Sequence, residues 1–94
     1  MKQYPIYVPG CGYQGIDRRK RQKCDEYNRV AHLVQKYLNE EVSNQPDGAY
    51  SYLSYAVARE IGESSDLVHE IISKIDGGTN GVTILKGSYK DLYR

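Results

Sequence analysis

The chain contains no tryptophan and no phenylalanine, so every aromatic contact falls to its ten tyrosines. A tyrosine at a periodic position is therefore read first as packing, with its hydroxyl reaching an exposed edge. Long apolar runs are missing too. No stretch approaches the roughly 20 residues that a membrane-crossing helix requires, and the amino terminus MKQYPIYVPGCG lacks the continuous apolar segment of a secretory leader. A chain that stays out of the membrane and in the cytoplasm is expected. Cysteine is scarce: Cys11 and Cys24 are too few for a disulfide-built scaffold, and their spacing matches no common paired-ligand module. Reduced thiols fit that setting best.

What remains is ordinary for a globular domain. Ninety-four residues, 39% hydrophobic and 27% charged, suffice for one modest core and are too few for two. The net charge of +1 hides a segregation. Residues 1–24 carry six Lys or Arg against Asp17, residues 25–76 carry four against ten acidic residues, and residues 77–94 carry three against Asp91. The ends are basic and the middle is acidic.

Along the chain, Tyr4 to Val8 reads as a short extended segment that Pro5 and Pro9 confine to an edge or an arm. Gly10, Gly12 and Gly15 mark a loop. From Asp25 onward Tyr27, Val30, Ala31, Val34, Tyr37, Leu38 and Val42 recur at three- and four-residue steps, one face of an amphipathic helix. Asp17 could cap an earlier start. Ser43 to Gly48 has loop chemistry. Ser51 is then a candidate N-cap for a short second helix ending at Gly62, and Ser64 or Ser65 caps a third whose stripe is Leu67, Val68, Ile71, Ile72 and Ile75, ending at Gly77-Gly78. Thr79-Asn80-Gly81 reads as a turn, Val82 to Leu85 as a strand, and Gly87-Ser88 as a hairpin turn leading into residues 89–93. The expected core is Val30, Val34, Leu38, Leu53, Val57, Ile61, Val68, Ile71 and Ile72.

Two short helices joined by a tight turn need a small residue where they touch, a glycine in the turn and apolar residues that lock the second helix. Ala58, Gly62, and the clamps Val57, Ile61, Val68 and Ile71 supply these. The segment resembles the helix-turn-helix of bacterial and phage regulators. With a helix before it and a hairpin after it, the chain is similar to a winged helix-turn-helix domain, mainly α with a small β-hairpin: a three-helix core plus a C-terminal wing. The resemblance implies that residues 1–23 are an N-terminal arm and basic segment and residues 24–94 the winged helix-turn-helix domain.

The resemblance implies that residues 64–76 are a recognition helix placed in the major groove of duplex DNA, with the hairpin on neighbouring backbone. The outward positions are Ser64, Ser65, Asp66, His69, Glu70 and Ser73. Serine and histidine can bond to base edges or phosphates, whereas Asp66 and Glu70 repel phosphate, and Lys74 is the helix's one basic residue. The run Arg18-Arg19-Lys20-Arg21-Gln22-Lys23, five cations in six residues, can neutralise several phosphates; otherwise it is a solvated charged segment. Lys86 and Lys90 add basic character beside the hairpin. The expected partner is therefore double-stranded DNA, bound by a small regulator. The competing reading is a winged protein-interaction module, self-associating or docking on a larger assembly, in which the basic run meets the acidic helices of a second copy.

Enzymatic readings find no support. Cys11, Cys24, His32 and His69 fit no zinc spacing, Cys24 and His32 are about 12 Å apart along one helix, and the glycine pairs lack a phosphate-loop context. No cofactor is expected. Tyr50, Tyr52 and Tyr55 could stack on single-stranded bases, although core packing suits at least one of them better.

Overall fold

A computed structural model describes residues 1–76 and 80–87. The elements are β1 (Lys2–Gln3), α1 (Arg18–Ser43), β2 (Gly48–Leu53), α2 (Ser54–Ile61), α3 (Ser65–Asp76) and β3 (Gly81–Lys86). Three helices pack with a small three-stranded sheet.

The earlier of the two starts holds for α1. Asp17 is extended, and its carboxylate accepts the N–H groups of Arg19 and Lys20 at 3.0 and 3.2 Å, which satisfies two of the free donors of the first turn. The basic run is therefore helical. None of Arg18 to Lys23 is buried, and burial begins at Cys24, followed by Tyr27, Val30, Ala31, Val34, Leu38 and Val42. The expected stripe is thus the buried one, apart from Tyr37, which is only partly covered.

Ser51 does not cap a helix. Residues 48–53 form β2, whose exposure alternates with a period of two: Tyr50 and Tyr52 lean inward while Ala49, Ser51 and Leu53 face out. Leu53, expected in the core, is 61% exposed for this reason. Helix α2 then starts at Ser54 without a side-chain cap and stops at Gly62, which adopts φ +70 in the left-handed region, as a C-terminal glycine does. Its end carbonyl bonds are shared: Ala58 O accepts the N–H groups of Gly62 and Glu63. Ile61 is half-buried against the core rather than inside it. In α3 the Ser64 carbonyl takes the first helical bond, from Val68 N–H at 3.0 Å. Val68, Ile71, Ile72 and Ile75 are buried.

In the sheet, β3 is central. It pairs antiparallel with β2, Gly48 opposite Lys86 and Leu53 opposite Gly81, and parallel with β1, Lys2 opposite Ile84 and Gln3 opposite Leu85. The strand expected at residues 82–85 is present, and among the described residues its neighbours are β2 and the amino-terminal strand. The return strand expected at residues 89–93 lies outside the described residues, as do Gly77-Gly78, Thr79 and Ser88.

Residues 1–11 run against the helices. Ile6 and Val8 are each 5% exposed and belong to the same core as Val82 and Ile84; covering side chains of this size is worth about 1.5–3 kcal/mol each. Backbone polarity along this segment is met by amide side chains on one stripe of α1. Asn39 Oδ1 accepts Ile6 N–H and its Nδ2 donates to Ile6 O; Gln35 Oε1 accepts Val8 N–H; Asn28 Oδ1 accepts Cys11 N–H and its Nδ2 donates to Cys11 O. Positions 28, 35 and 39 are seven and four apart, the spacing that keeps side chains on one helix face.

Candidate nucleic-acid interface

The expected thiols are not reduced here. Cys11 and Cys24 are joined as a disulfide with their Cα atoms 5.4 Å apart, within the range such a bridge requires. Sequence spacing held no hint of this, because the pairing depends on the amino-terminal segment folding back along α1. The bridge ties the glycine-rich loop to the second turn of the helix.

Beside it lies a groove of about 510 Å³ lined by Gly10, Cys11 and Tyr13 from the loop, by Lys20, Lys23, Cys24, Glu26 and Tyr27 from α1, and by Leu67, Glu70 and Lys74 from α3. Three of the sequence-assigned cations, Lys20, Lys23 and Lys74, thus meet across one groove, although they come from opposite halves of the chain. Two of them are held over aromatic faces. Lys74 Nζ sits 4.8 Å from the Tyr27 ring centre and Lys20 Nζ 5.9 Å from that of Tyr13, arrangements that favour a cation by the ring quadrupole. Lys74 also pairs with Glu70 at 3.7 Å across one helical turn, both side chains more than half exposed, so that pair is worth little.

The other cations of the run point elsewhere. At 100° per residue Arg18 and Arg21 fall on the far side of α1 from Lys20 and Lys23, beside Ile16 and Asp25. The first two turns of α1 are therefore ringed by charge rather than striped.

On α3 the buried residues Val68, Ile71, Ile72 and Ile75 place Asp66, Glu70 and Ser73 along the line opposite the core. Ser64, Ser65 and His69 are exposed and Ser73 is half-covered, its hydroxyl donating to Glu70 O at 2.8 Å. His69 has a fixed role. Ser54, the buried polar side chain at the start of α2, donates its hydroxyl proton to Asn80 O at 3.1 Å and lies 3.2 Å from His69 Nδ1. With that proton committed, Ser54 Oγ is left to accept from His69 Nδ1–H.

Lys86 is committed at the opposite end of the molecule. Its Nζ donates to the carbonyls of Ser43 and Gln45 at 2.9 and 2.7 Å and lies 5.6 Å from the Tyr4 ring centre, closing the C-terminal end of α1 where a cation complements the helix dipole. A helix of 26 residues spans about 39 Å, so Lys86 and the basic run do not share a surface. Lys90 lies outside the described residues.

Two features escaped the sequence. Arg29 grips Glu63 in the turn between α2 and α3 through two hydrogen bonds of 3.0 Å; these bonds and the adjacent charge hold the Glu63 carboxyl below its ordinary range and raise the Arg29 guanidinium. The hydroxyl of Tyr27 is buried with no hydrogen-bond partner among the described residues. Both need knowledge of which elements meet, and no local motif marks either. No helix among the described residues is long and apolar enough to cross a membrane. Comparison with known protein families, with curated proteins and with solved structures returns no match.

Proposed function

We propose that the protein is a small duplex-DNA-binding regulator of winged helix-turn-helix type, which engages DNA with the end of the molecule formed by the first turns of α1 and the exposed face of α3. The observation that supports this most is the exposed, helical cluster Arg18, Arg19, Lys20, Arg21 and Lys23, continued by Lys74 across the groove. A rigid helix end ringed by cations replaces condensed counterions on phosphate without having to order a flexible arm first. On α3 itself, the exposed Ser64, Ser65 and His69 offer hydroxyls and an imidazole suited to base edges. A cytoplasmic site of action agrees with a DNA partner, and in that compartment the Cys11–Cys24 bond is exposed to reduction.

The test is a titration with random duplex DNA over a range of salt. The unaltered protein is expected to bind with a steep inverse salt dependence. Replacing Arg18, Arg19 and Arg21 by Ala should weaken binding to all sequences and lower the slope by about 0.9 for each phosphate no longer neutralised. Ser65→Ala and His69→Ala should instead change the preference among sequences. No measurable affinity for any duplex at low salt would overturn the reading.

A further inference from the structure

We propose that the groove between α1 and α3 is a binding site for a small organic monoanion with a flat apolar body, of the aromatic carboxylate class. The proposal is separate from the DNA reading, since it concerns a ligand held inside the groove rather than phosphates along the helix end.

Size comes first. A volume of about 510 Å³ lies within the few hundred to a thousand Å³ usual for small-ligand pockets. Its surface is chiefly apolar: the rings of Tyr13 and Tyr27, the Leu67 side chain and the disulfide form the walls and floor. Such walls accept a flat hydrocarbon body, and the two tyrosines offer faces and edges for ring packing. A sugar or a bare phosphate would leave these surfaces unused.

Charge sets the second requirement. Lys20, Lys23 and Lys74 contribute three positive charges to the lining, and Glu26 and Glu70 two negative ones, so one anionic group is matched and a dianion is overcompensated.

The third requirement is the unpartnered hydroxyl. Tyr27 is 8% exposed and its hydroxyl has no hydrogen-bond partner among the described residues. Buried polar groups are normally paired, and one that is not is a candidate for a missing partner. The ring carrying it lines the groove beneath the exposed Lys74 side chain. The ammonium, 4.8 Å above the ring, leaves no room between them, so a ligand seated alongside Lys74 brings its carboxylate to the ammonium group, and the closed-off Tyr27 hydroxyl meets its second oxygen by a small shift of the ring.

The probes are 2-naphthoate and 2-naphthamide, which share one flat body and differ in charge, titrated by calorimetry into the oxidised full-length protein. Naphthoate is expected to bind about tenfold or more tightly than the amide. Tyr27→Phe and Lys74→Met should each weaken naphthoate several-fold; the first removes a single buried hydroxyl and keeps the packing. The Arg18, Arg19 and Arg21 to Ala variant should bind naphthoate as the unaltered protein does, whatever it does to DNA affinity, so the two proposals fail separately. Equal affinities for naphthoate and naphthamide, an unchanged naphthoate affinity in Tyr27→Phe or Lys74→Met, or no saturable binding of either probe would overturn the assignment.

Discussion

At the scale of single residues, the side chains that set this structure apart are polar groups whose partners come from distant sequence. Glu63 is the clearest, because its pairing with Arg29 ties the turn between α2 and α3 to α1 through two bonds of 3.0 Å. The sign of its contribution follows from the lowered carboxyl: the folded state releases the proton more readily than the unfolded chain, so the stabilisation is present above the ordinary carboxylate pKa and is lost as pH falls through the lower folded value. Glu63→Gln should therefore reduce stability at neutral pH and flatten the acid limb of a stability-against-pH curve measured by urea unfolding. An acid limb identical to that of the unaltered protein would show that the pair carries no linkage. Tyr37 and Tyr52 act in the other direction. Burial, and then the negative charge of Glu41, raises both phenols; their contribution is complete below the ordinary tyrosine range and is lost as pH rises through the raised values.

At the scale of elements, what the sequence revealed depended on how local each signal was. The three helices were legible because a stripe at three- and four-residue steps is a property of the segment itself, and Gly62 and Asp17 mark ends through their own chemistry. Strand β2 was not, because Ser51 to Leu53 can serve as a cap and first turn as well as a strand. Only the partner β3, distant in sequence, decides, and it turns Leu53 outward. The amino-terminal segment was legible as extended, but its anchors Asn28, Gln35 and Asn39 look like ordinary polar positions on a helix. Of the candidate site, the basic run and the outward face of α3 were read from sequence, whereas the meeting of Lys20 and Lys23 with Lys74 at a groove and the diversion of Lys86 to the far end of α1 were not. The disulfide belongs to the same class of long-range facts. Its partners are 13 positions apart in sequence, and for a loop near this size chain-entropy reasoning gives about 3 kcal/mol. Reduction, or Cys11→Ser with Cys24→Ser, should lower the unfolding free energy by about 2–4 kcal/mol in denaturant titrations. Thiol titration of the unfolded, unreduced protein should find no free cysteine; two reactive thiols would show that the bridge does not form.

At the scale of the whole molecule, charge is distributed by end rather than by face. The first turns of α1 are cationic all round, while the line of α3 opposite the core carries Asp66 and Glu70, and the two surfaces adjoin across one groove. Each functional reading uses that neighbourhood differently. If α3 enters a major groove beside the basic helix end, Asp66 and Glu70 lie close to phosphate and weaken binding through like charge, and Glu70 also occupies Lys74, 3.7 Å away. Asp66→Asn together with Glu70→Gln then removes two repulsive charges and frees one cation, so duplex affinity should rise about tenfold at low salt and the gain should shrink as salt screens it. If α3 instead docks on a basic protein surface, such as the Arg18 to Lys23 run of a second copy, the same pair of substitutions should lower self-association in sedimentation and leave duplex affinity unchanged. Both positions are exposed and neither contributes to the core, so the double variant should fold as the unaltered protein does, and a change in either measurement reports on the surface itself. A rise in duplex affinity with unchanged sedimentation supports the DNA reading, and a fall in self-association with flat duplex affinity replaces it with the protein-docking one.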